Sequence, residues 1–197
     1  MTGSLRLGYA ITGSFCTVGR SLAVLRRLVA AGHSILPVMS ENAFYTDTRF
    51  GRAEDVSGEV ERICGRGVIH TVEGAEPLGP TIPLDALVVA PCTGNTLAKV
   101  AAGITDTSVT MAMKAHLRCD RPLLVALATN DAMSQNLGNI GRLLSRKSVF
   151  FVPMEQDSPL GKPHSLVAKF ELIPECLDLM MRGVQKRPVF LEPDKKQ

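Results

Sequence analysis

The chain has 197 residues, 45% of them apolar, with 22 basic and 19 acidic side chains for a formal net charge of +3. That length suits one domain and buries roughly 70% of the surface an unfolded chain exposes, so neither disulfides nor a structural metal are required. With no tryptophan, two tyrosines and no basic run interleaved with aromatics, the composition excludes a nucleic-acid or membrane-surface binder.

The first apolar run, Leu5 to Ile11, predicts a buried strand that stops at Thr12-Gly13-Ser14. From Val18 to Ala31, Leu22, Leu25, Leu28 and Val29 recur at three- and four-residue spacing, with Arg20, Arg26 and Arg27 on the other side. This is an amphipathic helix, ended by Gly32. Ser34 to Met39 reads as a second strand in which Pro37 limits hydrogen bonding. Val56, Val60 and Ile63 predict a helix over Glu54 to Cys64, and the prolines and glycines of Gly74 to Pro83 predict a loop. Ala86 to Ala90 is a continuous apolar run, the pattern of a central parallel strand. Helical patterns follow at Thr96 to Ala102 and Ser108 to Leu117. Leu123 to Leu127 predicts a strand, Ala132 to Arg146 a helix, Val149 to Val152 a strand, and Leu166 to Met181 a closing helix.

Strands alternating with helices, several of them apolar on both faces, predict an α/β protein with a parallel central sheet covered on both sides. Residues 1–190 are expected to form one domain, and 191–197, with the charged stretch Glu192 to Gln197, a disordered tail. The five cysteines (Cys16, Cys64, Cys92, Cys119, Cys176) are odd in number, widely spaced and form no C-x-x-C pair. That pattern points to a reducing compartment and to neither a disulfide framework nor a zinc site. The first strand begins within about five residues with no leader pattern, and no apolar run approaches the roughly 20 residues of a membrane span. A cytoplasmic protein is the expectation. No metal is expected, because His33, His70, His116 and His164 share no ligand spacing.

Parallel sheets bind ligands outside the carboxyl ends of their strands, so each polar loop after a strand is a site candidate. Thr12-Gly13-Ser14-Phe15 joins strand to helix and reads either as a phosphate loop at a helix N-terminus or as a tight turn. Ser40 can bond a ligand phosphate or cap the helix that follows. Pro91-Cys92-Thr93-Gly94-Asn95-Thr96 is the loop densest in hydrogen-bonding groups. Its Asn95 offers a carbonyl and an amide suited to the edge of a heterocycle, and Thr93 and Thr96 can cap a helix. Cys92 reads as a small packing residue rather than a nucleophile, with no histidine near it in sequence. In Thr129-Asn130-Asp131-Ala132-Met133, Asp131 or Asn130 reads as a helix cap, placing Met133 and Asn136 one turn inside that helix. His33 and His116 suit solvated helix ends.

These loops resemble those of the homo-oligomeric flavin-containing cysteine decarboxylases. Pro91 to Asp106 is similar to that family's flavin-contacting motif, Gly13-Ser14 and Ser40 to its phosphate-contacting positions, and Ala128 to Met133 to its methionine-bearing loop. Within this group the chain resembles the family of dipicolinate synthase B components. The resemblance is carried by Gly8-Tyr9-Ala10-Ile11-Thr12-Gly13-Ser14-Phe15-Cys16, Val38-Met39-Ser40-Glu41-Asn42-Ala43 and Asp157 to Ala168.

The resemblance implies a flavodoxin-like or Rossmann-like three-layer sandwich. It implies an FMN site of Gly13, Ser14, Phe15, Ser40, Pro91, Cys92, Thr93, Asn95, Thr96, Thr129, Asn130 and Met133. It also implies a partner, the A component of dipicolinate synthase carrying NADP, oxidation of dihydrodipicolinate to dipicolinate for sporulation, and homo-oligomers. The setting would be the mother-cell cytoplasm of a spore-forming bacterium. Lys162 and His164 are the residues whose charge suits the substrate carboxylates. Two alternatives are an FMN-dependent decarboxylase of the cysteine type and a non-catalytic assembly protein with an empty flavin-type site. The decarboxylases carry a histidine where this chain has Pro80 to Asp85 and a flap cysteine where it has Ser158 to Pro163; both are absent here.

Overall fold

Successive residues of a strand point to opposite faces of its sheet, and in this chain both faces are apolar. The computed structural model describes residues 3–192. In chain order the elements are β1 (Arg6–Ile11), α1 (Val18–Ala30) after a 3₁₀ turn at Phe15–Thr17, β2 (Ser34–Met39), α2 (Glu41–Tyr45), α3 (Ala53–Cys64) and α4 (Val72–Ala75). Then come β3 (Ala86–Cys92), α5 (Gly94–Ala101), α6 (Ser108–Leu117), β4 (Leu123–Thr129), α7 (Leu137–Leu144), β5 (Val149–Phe151), β6 (Met154–Glu155), β7 (Leu166–Ala168) and α8 (Ile173–Met180).

The parallel strands run in the order β2-β1-β3-β4-β5. Leu7, Tyr9 and Ile11 of β1, Val88 of β3 and Leu124 of β4 face one core with Leu22, Leu25 and Leu28 of α1 and Leu177 of α8. Ala10, Leu87, Val89, Leu123 and Val125 face the other, with Leu97 of α5, Val109 and Met113 of α6 and Ile140 of α7. Helices therefore cover the sheet on both sides, giving three layers. The edge position of β2 explains how Pro37 is tolerated, since a proline costs no ladder bond there. Its carbonyl still accepts from Ile69 N at 3.0 Å. Gly32 follows α1 at φ 89°, the left-handed conformation that favours glycine after a helix.

Three sequence expectations need correction. The closing helix does not begin at Leu166: Leu166–Ala168 is β7, and only Ile173–Met180 is helical after a turn at Phe170–Leu172. The apolar spacing of that stretch serves a strand first, because β7 pairs antiparallel with Ala128 and Thr129 at the end of β4 and with β6. The helix expected from Ala132 starts at Leu137, because Asp131 and Asn136 bond each other and hold the preceding residues in turns. The loop expected over Gly74 to Pro83 begins inside α4. Of the expected tail, Leu191 N donates to Met154 O at 2.8 Å, and residues 193–197 lie outside the described residues. Among the described residues no helix is long and apolar enough to cross a membrane.

Candidate functional site

The order β2-β1-β3-β4 reverses its winding between β1 and β3, and a crevice opens outside the carboxyl ends of strands at such a switch. Thr12, 1% exposed, fixes that crevice. Its N–H donates to Pro91 O at 3.1 Å and its hydroxyl to the same oxygen at 2.8 Å, while Thr93 N donates to Thr12 Oγ1 at 2.9 Å. One hydroxyl thus ties the end of β1 to the loop after β3. From the α1 side, Ser21 Oγ donates to Ala90 O and also meets the buried Tyr9 hydroxyl, at 2.9 Å.

Two of the loops then turn into helices with side-chain caps. Ser40 accepts from Ala43 N at 3.3 Å and Thr93 accepts from Thr96 N at 3.2 Å, both as N-caps. The first carboxyl group of α2, Glu41, reaches across to α6, where Oε1 accepts from Ser108 N at 2.9 Å. Two cavities flank this framework. The larger, of about 770 Å³, is lined by the loop 13–17, Thr93, Gly94, Asn95, residues 128–131, Phe50, Asp157, Lys162, Ser165 and Val167. The second, of about 340 Å³, holds Thr12, Ser40, Glu41, Asn42, Thr96, Lys99, Asp106 and Thr107. Gly13, Phe15, Thr93 and Asn95 line both, so the two form one continuous crevice of ligand-binding size.

The floor of the larger cavity is a polar cluster. Asp131 Oδ1 accepts from Thr129 Oγ1 at 2.6 Å and from Asn136 Nδ2 at 2.9 Å, and Asn136 Oδ1 accepts from Asn139 Nδ2 at 2.9 Å. α5 begins against this cluster. A Cβ on Gly94 would lie 2.4 Å from Thr129 Oγ1, 2.6 Å from Asn136 Nδ2 and 2.7 Å from Asp131 Oδ1. Only glycine fits there without displacing them. At the rim, Lys162 Nζ meets Asp157 Oδ2 at 2.9 Å. That hydrogen bond raises the lysine's pKa; burial works to raise Asp157, but the bonds from Lys162 and Ser165 outweigh it and hold the carboxyl below the usual range.

A model of the flavoprotein family matches residues 1–181. The chain belongs to the flavoprotein family. Within it, the chain is similar to the B component of dipicolinate synthase from Bacillus subtilis (strain 168), at 40% identity over 187 residues, 95% of this chain and 94% of that one. It is also similar to the crystal structure of the dipicolinate synthase B component from Bacillus halodurans C. There the TM-score is 0.88 and the identity 39%, covering 96% of this chain and 97% of that one. A lower similarity links it to a dodecameric FMN-dependent Ubix-like decarboxylase from Escherichia coli O157:H7, with TM-score 0.63 and 25% identity over 76% of this chain and 80% of that one.

Of the residues singled out in this flavoprotein's sequence, Gly13, Ser14, Phe15, Ser40, Thr93, Asn95, Thr96, Thr129, Asn130 and Lys162 line the crevice. Four others stand apart from both cavities. Pro91 is buried at the end of β3, where its carbonyl serves Thr12. Cys92 is fully buried: a register shift between Val89 and Cys92 turns it into the core with Val89 and Leu97. Burial pushes its thiol up to about 12, so it carries no thiolate at neutral pH. Met133 points outward, 44% exposed, because its stretch is a turn and not a helix. His164 is exposed, and its carbonyl accepts from Met133 N at 3.0 Å.

His116 also departs from its expected solvated position. It is fully buried, with Nε2 2.9 Å from Pro122 O, and burial pushes its pKa down to about 4. Thr12 lies within the candidate loop 12–15 and Glu41 directly follows Ser40, yet neither was among the residues expected to contact a ligand; the available signal was position, Thr12 directly after β1 and Glu41 directly after the residue that caps α2. Lys99 and Asp106, paired at 2.9 Å on the wall of the smaller cavity, gave no comparable signal, since seven residues and a helix end separate them.

Proposed function

We propose that this chain is the B component of a two-component dipicolinate synthase, residues 1–190 forming its working domain. Acting with an A component that carries NADP, it would oxidise dihydrodipicolinate to dipicolinate in the cytoplasm of a sporulating mother cell. The observation that carries this reading is similarity along nearly the whole chain, 95% and 96% of it, to two proteins of that name. It includes the Asp157 to Ala168 segment that brings Lys162 to the crevice.

The crevice chemistry fits FMN. The loop Gly13-Ser14-Phe15 and the Ser40 hydroxyl offer donors beside a helix start, the setting a phosphate needs. Asn95 lines both cavities, and among the described residues its amide makes no hydrogen bond within the protein, leaving carbonyl and NH₂ for a heterocycle edge. Thr93, Thr129 and Asn130 line the same wall. FMN, when bound, supplies a two-electron acceptor beside the substrate. Ring aromatisation releases one hydride equivalent and one proton, and NADP⁺ on the A component is where the electron pair finishes. Lys162, kept protonated by Asp157, would orient a ring carboxylate.

The test is reconstitution. Purified chain should show a visible flavin spectrum and form dipicolinate only when mixed with the A component. Asn95→Ala should lose product formation while keeping its far-UV circular dichroism. A colourless chain that still supports the A component would leave only an assembly role. Dipicolinate formed by this chain alone, or decarboxylation of a cysteine peptide, would overturn the two-component oxidation.

A further inference from the structure

The substrate of the proposed reaction is a ring that carries two carboxylates, so its site has to meet two negative charges. The lining of the larger cavity does not do this by itself. Its one cationic side chain, Lys162, stands against the carboxylates of Asp131 and Asp157, which leaves the lining net negative. Lys162 also shares its ammonium with Asp157 at 2.9 Å. A flavin phosphate at Gly13–Ser14 would make the crevice more negative still. Like charges in a partly desolvated cleft repel more strongly than in bulk water, so a dianion there calls for a second cation.

Arg49 is placed to supply it. It sits at the tip of the loop between α2 and α3, which closes on itself: Thr48 N donates to Gly51 O at 3.0 Å and Gly51 N to Thr48 O at 3.1 Å. Phe50 N donates to Thr48 Oγ1 at 3.1 Å, and Asp47 Oδ1 accepts from Ala53 N at 2.8 Å, which ties the loop to the start of α3. The Phe50 ring lines the larger cavity yet is 54% exposed, so it stands at the cavity mouth. Arg49 Cζ lies over that ring, 4.9 Å from its centre, a cation–π contact that holds the guanidinium beside the mouth. Arg52, three residues on, is paired with Glu54 at 2.9 Å. Arg49 is exposed and has no carboxylate partner among the described residues. Its planar fork can take a carboxylate through two parallel hydrogen bonds while one face stays on the ring.

We infer that Arg49 is the second carboxylate anchor of the substrate site: Lys162 takes one ring carboxylate, and Arg49, carried on Phe50, takes the other. This rests on the dihydrodipicolinate reading above and deepens it by naming what selects a ring with two carboxylates over a ring with one. Arg49 is a specificity residue in this arrangement and takes no part in moving the hydride or the proton.

The test compares two probes, dipicolinate and picolinate, the same pyridine ring with a single carboxylate. Their affinities for the full-length chain supplied with FMN are measured by titration calorimetry, and folding is checked by the thermal midpoint. The native chain should prefer dipicolinate. Arg49→Gln should keep its thermal midpoint and lose about tenfold in that preference, the worth of one charge-assisted contact. Arg49→Lys, which keeps the charge without the fork, should recover part of it. An Arg49→Gln chain with the native preference would overturn the assignment, as would an equal loss for both probes. If Lys162→Met weakens dipicolinate in the same series, the substrate reading survives that failure. A native chain that binds neither probe would overturn both together.

Discussion

Gly94→Ala is the sharpest test of how the crevice is built. The added methyl would meet three polar atoms of the Thr129–Asp131–Asn136 cluster at 2.4–2.7 Å, closer than packed atoms tolerate. Thr129 Oγ1 must rotate or α5 must withdraw, and either movement breaks the 2.6 Å bond to Asp131 or shifts the Thr93 cap. Overpacking of this kind costs about 1–3 kcal/mol. Against that, replacing a helical glycine by alanine gains about 0.5–1 kcal/mol from backbone entropy. The net expectation is a loss of up to about 2.5 kcal/mol, read as a fall of about 2–4 °C in the thermal midpoint per kcal/mol for a chain of this size. Gly141 in α7 and Gly58 in α3 are the controls, because a Cβ at either meets nothing within 4 Å. Their alanine variants should be neutral or more stable. Thermal unfolding by circular dichroism, repeated in a Thr129→Ala background where the closest contact is gone, should show the Gly94→Ala penalty shrink. Gly94→Ala behaving with the same sign as Gly141→Ala would refute the packing argument.

Other predictions concern His116 and Thr12. His116 has a folded pKa of about 4 against 6.5 in the unfolded chain, so the unfolded chain binds the proton first as pH falls. Its stabilising effect is complete above pH 6.5 and is lost between there and pH 4, to at most about 3 kcal/mol. His116→Gln should flatten urea-measured stability across that window; an unaltered slope would show the imidazole is not buried neutral. Thr12→Val removes the hydroxyl that Thr93 N and Pro91 O share, and should cost about 1–3 kcal/mol and loosen flavin binding. Thr12→Ser should restore both, since it keeps the oxygen; a stable, tightly binding valine variant would count against the brace.

Much of the fold was legible because the parallel strands are apolar on both faces. Runs such as Ala86 to Ala90 and Leu123 to Leu127 leave no solvated face, and the intervening helical spacings then require covering layers. The end of the chain was misread for a reason of the same kind. Leu166 to Ala168 carries apolar residues that fit a helix or a strand equally, and only the open edge left at Ala128 and Thr129 of β4 selects the strand. At the site, residues directly after strands were found because position alone marks them. Met133 and His164 were misplaced because their direction depends on turns fixed by Asp131 and by the backbone bond between them.

What the sequence by itself determined was a doubly covered parallel sheet and the loops at its carboxyl edge, since both follow from local periodicity and from where apolar runs stop. Tertiary structure decided which of those loops meet. Thr12 and Thr93 are 81 residues apart and Glu41 and Ser108 are 67 apart, so no local pattern records either contact. The crevice exists because parallel pairing of β1 with β3 brings those distant hydroxyls, amides and carboxylates to a single edge.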